Sequence, residues 1–91
     1  MSKLRVTLTT KPNAIPIGVN ITLTKEPTNK FDDEAIMVTS PDLFGHGYVA
    51  AYYKIRKPGT VSAGRLLDKI PDRTTAVVVA DQVAEVEVSD E

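Results

Sequence analysis

The feature that most constrains the fold is the alternation of apolar and polar residues in three separate stretches of the chain. The alternating apolar positions are Leu4-Val6-Leu8, Val19-Ile21-Leu23 and Ala84-Val86-Val88. A period of two places alternate side chains on opposite faces of a strand, so each stretch predicts a strand with one buried face. Because the stretches lie at the start, in the first half and at the end of the chain, they predict a sheet that involves its whole length.

Further strands are predicted by apolar and β-branched residues between turn signals. The predicted strands are residues 3–9, 19–24, 35–39, 47–50, 74–80 and 83–88. The apolar run at 76–80 predicts a strand that is buried on both faces or lies in a tight barrel. Asp81 and Gln82 between the last two strands form either a hairpin turn or a bulge, and the sequence leaves both open.

One stretch, residues 61–70, has the spacing of an amphipathic helix. Its apolar positions are Ala63, Leu66, Leu67 and Ile70. Thr60 or Ser62 can cap its start, and Pro71 ends it. Five to six short strands with one short helix predict a mainly β protein, folded as a small β-barrel or curled sheet.

The composition agrees with one small globular domain that spans residues 1–91. Hydrophobic residues make up 42% of the chain and charged residues 25%, so a disordered chain is not expected. The chain has no cysteine, which excludes disulfides and thiolate metal sites. No apolar run approaches the roughly 20 residues that cross a bilayer, and no signal-like stretch begins the chain, so we expect a cytoplasmic protein without a membrane partner.

The loop between the second and third predicted strands carries a specific motif. It reads Glu26-Pro27-x-Asn29-x-Phe31-Asp32-x-x-Ala35-Ile36-x-Val38, with Gly47-Tyr48-Val49 downstream. This pattern resembles the signature of the HIRAN domain. That family occurs in helicase-like chromatin and DNA-repair remodellers and, as the type most similar to this chain, as a stand-alone domain in bacteria and phages. The resemblance implies an OB-like β-barrel.

The resemblance also implies a site for the free 3′ end of single-stranded DNA. An aromatic ring at Phe31 would stack on a base, and the carboxylate of Asp32 would accept a hydrogen bond from the terminal 3′-hydroxyl. A carboxylate accepts from a hydroxyl but repels a phosphate, so it can distinguish a free end from a continuing strand. The alternative is structural: Asn29 and Asp32 satisfy backbone donors in the loop while Phe31 packs against the barrel. Both interpretations remain open at this point.

A basic and aromatic segment supplies further candidates for contact with nucleic acid. Residues 49–73 hold six basic and two acidic residues, although the whole chain has a net charge of −1. Interleaved aromatic and basic side chains are typical of surfaces that bind single strands. The candidate residues beyond Asn29, Phe31 and Asp32 are Lys30, Tyr52, Tyr53, Lys54, Arg56 and Lys57. Tyr48 is expected to fill the barrel instead.

The chain departs from the HIRAN pattern at two places. DNA-binding relatives carry a basic-aromatic pair before the motif, where this chain has Ile15-Pro16-Ile17-Gly18, and a lysine after the glycine segment, where it has Ala50 and Ala51. These departures favour an alternative function, a protein-interaction or structural β-barrel that has lost the DNA pocket. The expected partner is therefore single-stranded DNA, or else a helicase, a nuclease or another protein.

No motif in the sequence predicts an enzyme, a cofactor or a metal site. His46 is the only histidine, and it has no neighbouring residues that suggest a metal site or a catalytic set. Asp33 and Glu34, next to Asp32, are interpreted as a solvated charge run and not as ligands of a cation. Phosphate-binding loops and zinc signatures do not occur in the sequence. We therefore expect a binding module.

Overall fold

The computed structural model describes residues 2–51 and 55–88 and shows a mainly β fold over these ranges. Its elements are β1 (Ser2–Thr7), β2 (Asn20–Lys25), β3 (Ile36–Thr39), β4 (Gly47–Tyr48), α1 (Ala63–Leu67), β5 (Arg73–Ala80) and β6 (Val83–Val88). All paired strands are antiparallel and form one sheet in the order β1-β6-β5-β2-β3-β4. The predicted class, a mainly β domain with one short helix, is confirmed.

The sheet curls into a half-barrel because its two edge strands approach each other just beyond β1 and β4. Leu8 forms an isolated antiparallel bridge with Val49. The amide of Thr9 donates to the carbonyl of Tyr48 at 2.8 Å. Gly47 permits this approach, since a Cβ there would lie 2.9 Å from Cγ2 of Thr10. The two edges of the sheet therefore meet at one end.

The core is built mainly by the apolar residues of the predicted strands. Because every second side chain of a strand points to the same face, these residues lie together on the concave side of the sheet. The largest fully buried side chains are Leu8, Ile21, Leu23, Ile36, Leu66, Val6, Val38, Val78 and Val86. The alternation thus predicted most of the buried face, but Leu4 and Val19 are only partly buried, and Thr7 and Val83, expected on the opposite face, are buried as well. No helix in the described parts of the chain is long and apolar enough to span a membrane.

The helix is shorter than the predicted residues 61–70. Ser62 caps it, because its Oγ accepts a hydrogen bond from the amide of Arg65 at 3.2 Å. Val61 belongs to a different contact: its amide donates to the carbonyl of Arg5 at 2.8 Å. After α1 the chain continues in a turn, in which the amide of Lys69 bonds to the carbonyl of Leu66 at 2.9 Å. Pairing with β1 at one end and this turn at the other therefore limit the helix.

The β5–β6 hairpin excludes one of the two interpretations of the apolar run at 76–80, a strand buried on both faces. Val78 is buried, but Val77 and Val79 are partly exposed, so the strand has one buried face and not two. Pairing shifts between Val78 and Ala80, which is a bulge at Val79. Asp81 and Gln82 form the turn, with Gln82 at a φ of 58°. Asp81 and Gln82 are therefore the hairpin turn, and the bulge lies at Val79 instead.

Candidate nucleic-acid interface

An open groove of about 440 Å³ lies where the loop between β2 and β3 faces the meeting edges of the sheet. We call it the Phe31 groove, and its lining residues are Thr9, Asn29, Phe31, Asp32, Ala35, Tyr48, Val49, Ala50, Ala51 and Ile55. Most of these side chains are apolar. Asp32 is the one ionisable carboxylate among the described lining residues, and no described lysine or arginine lines the groove. The groove therefore suits an apolar or aromatic group that carries a hydrogen-bond donor.

Asn29 holds the loop in its conformation. Its Oδ1 accepts hydrogen bonds from the amides of Phe31 at 2.9 Å and Asp32 at 3.1 Å. Its Nδ2 donates to Oε1 of Glu26 at 3.1 Å. This use of an asparagine side chain to satisfy amides two and three residues further on is typical of turns. Asn29 therefore has the structural role that the alternative interpretation predicted, and it sets the positions of the next residues.

Asp32 both stabilises the loop and lines the groove. Its Oδ1 accepts a hydrogen bond from the amide of Glu34 at 2.9 Å. Its Oδ2 accepts no hydrogen bond from any residue that the structure describes, and the side chain is partly exposed. One carboxylate oxygen therefore fixes the loop while the other stays available to a ligand. The structural and ligand-binding roles of Asp32 are compatible.

Phe31 does not pack against the barrel. Its side chain is 99% exposed, although fully burying a phenylalanine contributes about 1.5–3 kcal/mol. The hydrogen bond from its amide to Asn29 fixes the backbone with the ring outside the core. The structural alternative is therefore wrong for Phe31. The chain presents a phenyl face at the rim of the groove.

Tyr48, the second residue of β4, is partly exposed and is not part of the buried core, contrary to the expectation that it fills the barrel. Tyr48, Glu26 and Asn29 line a common pocket. Hydrogen bonding to Glu26, followed by desolvation and the negative charge of that carboxylate, raises the pKa of Tyr48 above its ordinary value, and a smaller contribution from Asn29 lowers it. Glu26 and Asn29 therefore set the electrostatic environment of Tyr48 next to the groove.

The predicted basic residues occupy different positions. Lys30 is exposed on the loop beside Phe31. Arg56 and Lys57 are partly buried: Nη1 of Arg56 donates to the carbonyl of Thr60 at 2.8 Å, and Nζ of Lys57 donates to the carbonyl of Asp81 at 2.7 Å. The Lys57 bond holds the segment before α1 against the β5–β6 turn, whereas the Arg56 bond stays within that segment; neither side chain lines the Phe31 groove.

Three of the predicted site residues, Tyr52, Tyr53 and Lys54, lie outside the described residues. Within those residues, no three histidine, aspartate or glutamate side chains form a cluster that could hold a metal ion. His46 is exposed and contacts the ring of Tyr48 edge to face, with ring centroids 5.3 Å apart.

The far wall of the groove was missed by the sequence analysis. Thr9 and Tyr48 are 39 residues apart in the chain, yet Oγ1 of Thr9 donates to the carbonyl of Tyr48 at 2.9 Å. Ile55, 52% exposed, completes the described wall. No local pattern carries such information, because the wall forms only when the two edges of the sheet meet. The glycine at Gly47 was the one signal of a close approach.

Comparison with known proteins adds no relative: the chain matches no protein-family model, no curated protein and no solved structure.

Proposed function

We propose that this protein is an OB-like, HIRAN-like module that binds single-stranded DNA at a free 3′ end, with the terminal nucleoside in the Phe31 groove. The observation that carries the proposal is the fully exposed ring of Phe31 beside Asp32 at the rim of an apolar groove. The groove volume of about 440 Å³ lies within the range of roughly 300–1,000 Å³ that is usual for small-ligand pockets. The resemblance of the loop motif to HIRAN supports the same ligand.

The chemistry of each wall matches one part of a terminal nucleoside. The phenyl face of Phe31 can stack on a base, which contributes about 1–3 kcal/mol and is tolerant of sequence. The free Oδ2 of Asp32 can accept a hydrogen bond from the 3′-hydroxyl. A 3′-phosphate would bring negative charge against the same carboxylate, and no described cation lines the groove to compensate. The exposed Lys30 would contact a backbone phosphate outside the groove.

The experiment compares two oligonucleotides that differ only in their 3′ end, one with a hydroxyl and one with a phosphate. Both carry a 5′ fluorophore, and affinity is measured by fluorescence anisotropy. Hydrogen bonds to charged groups contribute roughly 1.5–3 kcal/mol, so the wild type should prefer the hydroxyl about ten-fold or more. Asp32→Asn keeps the acceptor for the amide of Glu34 but removes the charge, and it should reduce this preference.

Asp33→Asn is the matched control, because Asp33 is exposed on the same loop and does not line the groove. It makes the same change in net charge and should keep the preference of the wild type. Equal affinity of the wild type for both ends would contradict the proposal. An equal loss of preference in the Asp32 and Asp33 variants would show a general charge effect and would also contradict it.

A protein-interaction barrel is the second candidate, and Ile17 favours it. Ile17 is 70% exposed and stands where DNA-binding HIRAN domains carry a basic-aromatic pair. An exposed isoleucine suits an apolar protein contact better than a phosphate, and a helicase or nuclease would be a fitting partner. If the wild type binds neither oligonucleotide even at low salt, this second function becomes the account of the exposed apolar residues.

A further inference from the structure

A second groove, of about 390 Å³, lies beside the Phe31 groove. We call it the Phe44 groove, and its lining residues are Thr9, Thr10, Lys11, Ala14, Asp42, Leu43, Phe44 and His46. Phe44 is fully exposed, with a relative accessibility of 106%. It is the second phenylalanine of this chain with its whole ring outside the core, and the chain has only two. The proposed binding of a terminal nucleoside makes no use of it.

The turn before Phe44 has a defined conformation. The amide of Leu43 donates to the carbonyl of Ser40 at 3.1 Å, and the amide of Asp42 donates to Oγ of Ser40 at 3.2 Å. Gly45 follows with a φ of 85°, which is readily adopted by glycine and strained for other residues. The exposed position of the Phe44 ring therefore follows from a hydrogen-bonded turn.

The two grooves share a wall. Thr9 lines both of them. Its Oγ1 donates to the carbonyl of Tyr48 at 2.9 Å and accepts from the amide of Tyr48 at 3.1 Å, so its side chain is fixed against β4. The rings of His46, in the Phe44 groove, and Tyr48, in the Phe31 groove, are in contact at 5.3 Å. A bound nucleic-acid strand that extends from the Phe31 groove across this wall would therefore enter the Phe44 groove.

We propose that the nucleotides upstream of the 3′ terminus cross the wall formed by Thr9 and Tyr48, so that an upstream base stacks on Phe44. The proposal rests on the proposed function, and it extends the site from one nucleoside to a strand. Two exposed phenyl faces joined by a fixed wall match the way in which single-strand binding proteins stack successive bases.

The charges in the Phe44 groove show which force dominates there. Lys11 supplies one ammonium group for a phosphate, and Asp42 supplies one carboxylate that opposes it. The second groove therefore contributes affinity mainly by stacking. Its contribution to the salt dependence should be small, at most a slope of about −0.7 in log K against log salt for one phosphate contact.

The test varies strand length at a constant 3′-hydroxyl end. Affinities of a deoxynucleoside 5′-monophosphate and a hexanucleotide are measured for the wild type, Phe44→Ala and Ile17→Ala, the last being an exposed apolar control outside both grooves. The wild type should bind the hexanucleotide more tightly. Phe44→Ala should weaken hexanucleotide binding by roughly five- to 150-fold, the factor for one stacked base, and leave binding of the mononucleotide unchanged. Ile17→Ala should match the wild type at both lengths.

The preference for a 3′-hydroxyl over a 3′-phosphate is recorded for each variant. If that preference is present but Phe44→Ala binds both lengths as the wild type does, the second groove is not part of the site and only this inference fails. An equal loss at both lengths would also overturn it. If the wild type shows no end preference, the proposed function fails. If the wild type binds no single strand at all, the proposed function and this inference both fail. Melting temperatures should be equal, since Phe44 makes no buried contact.

Discussion

Replacing Phe31 by alanine separates binding from stability more cleanly than any other change in the site. The ring is 99% exposed, so its removal exposes no core surface and leaves no cavity. Its amide hydrogen bond to Asn29 belongs to the backbone and survives the substitution. The free energy of unfolding should therefore change by no more than about 0.5 kcal/mol, as is usual for surface substitutions.

The effect on binding should be much larger. A stacked base contributes about 1–3 kcal/mol to single-strand binding, which corresponds to a loss of roughly five- to 150-fold in affinity. Because stacking does not involve the terminal group, Phe31→Ala should weaken binding of 3′-hydroxyl and 3′-phosphate ends by the same factor. Fluorescence anisotropy gives both affinities, and urea denaturation gives the stability of the same preparation.

Two results would refute the reasoning. A fall of more than about 1 kcal/mol in the free energy of unfolding would mean that the ring packs in solution and that its exposure is not a property of the folded chain. Unchanged affinity with unchanged stability would mean that DNA binds elsewhere. Ile17→Ala removes another exposed apolar side chain outside the groove and should change neither quantity.

Two further predictions concern residues around the groove. Lys57→Met should lower the free energy of unfolding by about 1–2 kcal/mol in urea denaturation, because it removes the charged hydrogen bond to the carbonyl of Asp81. Lys30→Met, at an exposed position, should leave the free energy of unfolding unchanged. Equal effects of the two substitutions would contradict the stabilising role of Lys57. Tyr48 has a raised pKa in the folded state, so its neutral hydroxyl stabilises the fold at neutral pH and this contribution is lost as the pH rises through the folded pKa. The difference in unfolding free energy between the wild type and Tyr48→Phe should therefore shrink in alkaline solution, and a difference that grows with pH would contradict the assigned direction.

The strands were predictable because their information is local. Alternation at Ile21 and Leu23 identifies a buried face without knowledge of the partner strand, and the structure confirms that both are buried. The length of the helix was not predictable in the same way. Val61 fits the helical spacing, but its amide pairs with β1, and a contact between residues 56 positions apart leaves no mark in the local pattern.

The loop was predictable as a turn, but the exposure of its aromatic ring was not. A phenylalanine in a polar loop can either pack against the fold or be exposed to solvent, and the local sequence does not distinguish the two; in the structure the ring is 99% exposed. The amino-acid composition of the basic segment likewise did not predict how its side chains are bonded. It predicted positive charge at Arg56 and Lys57, but it did not predict that both side chains bond to backbone carbonyls.

The most direct test of the central claim is an NMR titration of the ¹⁵N-labelled protein with a hexanucleotide that ends in a 3′-hydroxyl. The account predicts that the amide signals of Phe31, Asp32 and Ala50, which line the groove, shift most, and that a 3′-phosphate end produces the same shifts only at higher concentration. Shifts confined to the polar face of β5 and β6, around Thr75 and Glu87, or no shifts at all, would contradict it.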